Sequence, residues 1–129
     1  YKIDKKVQAW HDSATIDPKV LIKVCEGWGF KKLKLYPGAV RKTTKKYVKE
    51  NFGSRISLLY LDVDNYDGTL AILKNLYPKM SKGGIIVLDE YGFKGHGESD
   101  AIDKFFKNKK VKLKSFSWAN SPTSYIQID

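Results

Sequence analysis

Two apolar runs that each end in carboxylates constrain this chain more than any other feature. Arg55 to Asp64 reads RISLLYLDVD, and Ile85 to Tyr91 reads IIVLDEY. Near-continuous apolar runs of this length, without polar alternation, are the pattern of parallel strands buried on both faces. Between them Leu70, Leu73 and Leu76 recur at helical spacing, which predicts a helix over Thr69 to Tyr77 that Pro78 stops. Strand, helix, strand in this order is a right-handed crossover unit, so the fold class is α/β, a parallel sheet with helices on its faces. Ligands of such sheets sit beyond the carboxyl ends of the strands, where this chain places Asp62, Asp64, Asp89 and Glu90.

The flanking segments extend the pattern. Asp17 and Pro18 predict a helix start, with Val20, Leu21, Val24 and Cys25 on one apolar face. Cys25 on that face reads as core packing rather than a nucleophile. Gly27 and Gly29 read as the helix stop, because a glycine-rich cofactor loop has to open a helix and only a strand-like segment follows. Leu33 and Leu35 alternate with Lys32 and Lys34, predicting a strand that runs into Tyr36-Pro37-Gly38. A weaker helix is expected over Thr43 to Asn51 and another over Glu98 to Asn108, the latter burying Ala101, Ile102, Phe105 and Phe106. Val111 to Phe116 and Tyr125 to Ile128 read as an antiparallel strand pair joined through Ser121-Pro122, an edge that offers a packing surface to a second subunit.

The two acidic strand ends lie 89 − 62 = 27 residues apart, about the length of one crossover unit, so they are expected to be neighbours roughly 4.8 Å apart. Carboxylates converging without cysteine or clustered histidine suit a hard cation, Mg²⁺, Mn²⁺ or Ca²⁺. The alternative is that they cap helices or pair with lysines. Asp67 reads as a helix-start residue. Tyr66 and Tyr91 flank the carboxylates and suit either a ligand pocket or strand-end packing. His96, in a glycine-rich loop, suits a substrate contact, a second base or a solvated surface position; His11 reads as surface.

At 129 residues, the whole chain 1–129 reads as one domain, and a single cysteine fits a reducing cytoplasm. No apolar run approaches the roughly 18 residues of a membrane span, and no secretory signal is visible. The net charge of +10 is unevenly spread: residues 1–55 hold 14 Lys+Arg against 5 Asp+Glu, residues 56–103 hold 4 against 8, and residues 104–129 hold 6 against 1. Basic flanks around an acidic centre read as a solvated exterior, not as a dedicated nucleic-acid site.

The segments LLYLDVDNYDGTLAILKNLYPKMSKGGIIVLDEYGF and ESDAIDKFF resemble the C-terminal half of the macrocin O-methyltransferase family, metal-dependent sugar O-methyltransferases of class I Rossmann-like fold. The most specific parts are Asp62, Asp64, Tyr66 and Thr69, then Gly83, Gly84, Asp89, Glu90 and Tyr91. The resemblance implies a mostly parallel sheet with an antiparallel C-terminal pair, beginning after the family's first two strands and first helix, with Tyr1 at the start of an N-terminally incomplete domain. It implies S-adenosylmethionine as methyl donor, a sugar or glycoside as acceptor, and Mg²⁺ or Mn²⁺ held by Asp62, Asp89 and Glu90. Asp64 matches the position of the general base; Gly38, Ala39 and Val40, with Asp62, would border the cofactor. Glu90 stands where the family often has aspartate. The competing expectation is a non-catalytic, truncated Rossmann-like module that binds a polyanion through its basic flanks.

Overall fold

A computed structural model describes residues 16–129. His11 and the opening segment lie outside the described residues. Helix α1 is Pro18–Gly27, α2 is Val40–Glu50, β1 is Ile56–Leu61, α3 is Tyr66–Leu76, β2 is Met80–Leu88, α4 is Glu98–Phe106, β3 is Leu113–Ser115 and β4 is Ser124–Gln127. The sheet order is β1-β2-β4-β3, with β1 parallel to β2 and both β2–β4 and β4–β3 antiparallel.

The local signals act as their chemistry requires. Asp17 caps α1 by accepting from the Lys19 N–H at 2.8 Å, with Pro18 at the first helical position. At the other end the Gly29 N–H donates to the Glu26 carbonyl and the Phe30 N–H to the Cys25 carbonyl. Gly29 sits at φ +85°, so these glycines form a Schellman stop and open no helix. Asn65 caps α3, its Oδ1 accepting from the Gly68 N–H at 2.7 Å.

The core lies between one face of the sheet and the helices. Leu59 and Leu61 of β1, Ile86 and Leu88 of β2 and Ile126 of β4 pack with Ile72 and Leu73 of α3 and with Ile102 and Phe106 of α4. Residues of the other parity in β1, Leu58 and Tyr60, face the opposite way and are exposed. Two expectations change here. Residues 30–37 form no strand: with no ladder partner among the described residues, this segment is held along α2 by side chains. Tyr36 packs edge-on against Tyr47, donates to Glu50 and accepts from the Asn51 amide. The described sheet is therefore mixed, with one parallel pairing. The apolar face of α1 is not core either, since Val20, Leu21 and Val24 are exposed and Cys25 is half-buried. Periodicity identifies an apolar face and says nothing about what covers it.

Where α3 approaches α2, Gly68 leaves no room for a side chain. A Cβ there would lie 2.8 Å from Asn65 Oδ1 and 3.2 Å from Val40 Cγ2. Gly68→Ala is expected to destabilise the fold by about 1–3 kcal/mol, read as a lower urea midpoint, because relief requires giving up the Asn65 cap.

Candidate metal and acceptor site

The register of the parallel pair builds the site. Leu58 pairs with Ile85 and Leu61 with Leu88, and the Asp89 N–H donates to the Leu61 carbonyl at 3.1 Å, so the two acidic ends lie side by side at one edge. Side chains then divide between the two faces. Asp89 accepts from the Tyr60 hydroxyl on the open face and from the Ser121 hydroxyl at 2.9 Å; Ser121 precedes a cis proline. Asp62, two residues beyond Tyr60, is exposed.

Asp64 departs from the strand alternation. Its backbone is left-handed, φ +50°, and its side chain is buried. Aspartate tolerates this region better than most residues, yet a left-handed non-glycine is uncommon and such residues concentrate at functional sites. Its Oδ1 lies 3.1 Å from His96 Nδ1, and the same nitrogen meets Glu90 Oε2. Donor atoms of Asp64, Glu90 and His96 all lie within 4.8 Å of one another.

Behind them, fully buried at the start of α4, sits Glu98, which sequence reasoning treated only as a helix-start residue. Its Oε1 accepts from the Glu90 N–H at 3.4 Å, while Oε2 has no hydrogen-bond partner. Only its position, eight residues past Glu90 and directly after a glycine-rich loop, could have drawn attention to it.

The electrostatics follow from this crowding. Burial, reinforced by the hydrogen bond and charge of Asp64 and by the charges of Asp89 and Glu98, pushes the Glu90 carboxyl up to about 8. Burial likewise pushes Glu98 up to about 7, against the opposing Glu90 N–H and with the charges of Asp64, Asp89 and Asp62. The hydrogen bond to Asp89, then burial, raises the Tyr60 hydroxyl to about 12. Tyr91 donates to Asp103 at 2.8 Å, and burial followed by that contact raises its hydroxyl. Carboxyls held together at this cost are a donor set that fits a divalent cation, which would relieve their repulsion.

Beside the cluster, Gly38, Ala39 and Val40 line a cleft of about 460 Å³ together with Val63, Asn65 and Gly68, between the starts of α2 and α3. On the other side Tyr91, Phe93, Ser99 and Asp103 line a second cleft of about 410 Å³.

A family model described as macrocin-O-methyltransferase (TylF) matches residues 30–120. The chain belongs to the macrocin-O-methyltransferase family. Among solved structures it is similar to CalS11, described as a TDP-rhamnose 3'-O-methyltransferase of calicheamicin biosynthesis. That match has 28% identity and a TM-score of 0.75, and covers 85% of this chain and 50% of that one. Similarity to the O-methyltransferase NovP, at 21% identity and TM-score 0.71 over 88% of this chain and 45% of that one, concerns the fold alone. The same holds for a putative rRNA-methylase from Clostridium thermocellum, at 16% identity and TM-score 0.57 over 89% and 72%. No curated protein matches the chain. The chain thus spans about half the length of CalS11 and NovP. The architecture is that of a Rossmann-like class I methyltransferase with a mixed sheet, and the family favours an enzyme over a non-catalytic polyanion-binding module. No helix among the described residues is long and apolar enough to cross a membrane.

Proposed function

We propose that this chain forms the metal and acceptor side of an enzyme that transfers a methyl group from S-adenosylmethionine to a hydroxyl of a sugar or sugar-containing metabolite. The observation that carries the reading is the buried Asp64–Glu90–His96 cluster at the carboxyl edge of β1 and β2, in a chain of this family. The description of CalS11 supports a sugar as the acceptor class.

Glu90 would hold Mg²⁺ or Mn²⁺, joined by Asp62 and Asp89 from the same edge, the Asp89 carboxylate giving up its bonds to Tyr60 and Ser121 to do so. When bound, the cation supplies Lewis acidity that makes an adjacent sugar hydroxyl easier to ionise. Asp64 takes the hydroxyl proton as the oxygen forms its new bond to carbon and the methyl–sulfur bond breaks, leaving a neutral thioether. The fixed left-handed backbone of Asp64 limits the motion of its carboxylate, so the residue acts largely by position. Gly38, Ala39 and Val40 border the adenine end of the cofactor in the larger cleft, which Val63, the residue after Asp62, also lines. Tyr66 and Tyr91 line the sugar side, Tyr91 oriented by its bond to Asp103.

The reading is tested with the full-length protein, methyl-labelled S-adenosylmethionine and nucleotide-activated deoxysugars. Label is expected in the sugar, lost with EDTA and restored by Mg²⁺ or Mn²⁺. Transfer that persists unchanged in EDTA removes the metal from the reading, and label found in RNA but in no sugar removes the acceptor class.

A further inference from the structure

We propose that His96 supplies an imidazole nitrogen to the divalent cation beside Glu90, making the centre a mixed nitrogen–oxygen site that prefers Mn²⁺ to Mg²⁺. The inference rests on the metal reading above and adds to it a ligand and a selectivity.

The geometry of one atom carries it. His96 Nδ1 lies 3.1 Å from Asp64 Oδ1 and also meets Glu90 Oε2. Buried Glu90 Oε2 has no hydrogen-bond partner despite its approach to that nitrogen, so the two atoms converge with no hydrogen bond between them. A cation gives nitrogen and oxygen a common partner. An ion there would take Nδ1 and Glu90 Oε2 as its ligands, and Asp64 Oδ1, 3.1 Å from Nδ1, would stay beside it as the proton acceptor.

The loop is built to turn this ring inward. Gly95 and Gly97 flank His96 at φ +94° and +78°, a left-handed pair that reverses the chain on either side of it. The ring is mostly buried and stands edge-on to Phe93, with centroids 6.5 Å apart. A second observation points the same way: the Glu90 oxygen at the centre is buried without a hydrogen-bond partner, and so is Oε2 of the fully buried Glu98, whose other oxygen accepts from the Glu90 N–H. Imidazole suits transition ions, whereas Mg²⁺ favours oxygen donors and retained water.

The test is pulsed EPR of the full-length protein loaded with Mn²⁺, together with calorimetric titration of Mn²⁺ and Mg²⁺. Wild type is expected to show modulation from a directly bound ¹⁴N and to bind Mn²⁺ at least about tenfold more tightly than Mg²⁺. His96→Ala should lose the ¹⁴N modulation and weaken Mn²⁺ binding about tenfold or more, with a smaller change for Mg²⁺. His96→Gln, which retains a hydrogen-bonding group, gives the same loss if the alanine variant unfolds. Mn²⁺ bound without ¹⁴N modulation overturns the His96 assignment and leaves the metal reading standing. Absence of binding by either ion to a folded wild type overturns both.

Discussion

Asp64→Asn is expected to lower the methyl-transfer rate of the full-length protein by about two to four orders of magnitude, the usual contribution of a positioned general base. Asparagine has nearly the same shape, accepts a hydrogen bond through Oδ1 and tolerates the left-handed backbone at φ +50°, so the loop from Val63 to Asn65 should keep its path. What it cannot do is take a proton. The loss should therefore fall on kcat, with the unfolding midpoint within error of wild type. A variant that retains more than about a third of the wild-type rate would remove Asp64 from the role of base. Asp62→Asn provides a contrast. That side chain is exposed on the strand edge, and its loss should be offset in part by excess cation if it serves as a ligand.

The contrast also shows where sequence reasoning reaches. The register of β1 against β2 was legible, because buried parallel strands announce themselves as unbroken apolar runs and the 27-residue offset between Leu58 and Ile85 is that of a single crossover. The stop at Gly29 was legible for the same kind of reason: a local hydrogen-bond pattern depends on a few neighbouring residues. What was not legible depends on distant chain. The segment around Leu33 has strand alternation, but a strand exists only through its partner. At the site, alternation would send Asp62 and Asp64 to the same side. The left-handed turn at Asp64 breaks that parity and brings it to Glu90 and His96. No pattern in D-V-D-N predicts such a turn. His96 and Glu98 reach the cluster through a loop whose path is set by glycine backbone angles, which composition does not encode.

Glu98→Gln should stabilise the protein at pH 8 and change it little at pH 5. Burial among carboxylates raises the folded-state Glu98 from an ordinary 4.5 to about 7, so between these values the folded protein holds a proton that the unfolded chain has released. Stability must then fall as pH rises through that window, the direction required when the native state binds more protons. The favourable, protonated contribution is complete below about 4.5 and lost above about 7. A shift of this size corresponds to about 3 kcal/mol. Glutamine keeps the oxygen that accepts from the Glu90 N–H and carries no charge to desolvate. Urea unfolding of the metal-free proteins should therefore show the variant losing less stability than wild type between pH 5 and pH 8, by on the order of 2 kcal/mol. Glu90, raised from 4.5 to about 8 by the same crowding, adds a loss over the same interval in both proteins. Divalent cation should reduce the loss in wild type, since it binds the ionised carboxylates of the folded state and adds stability by mass action. A wild-type protein whose stability is flat or rising from pH 5 to pH 8 without metal would mean that Glu98 is charged in the fold. Its unpartnered Oε2 would then have to be satisfied by another group.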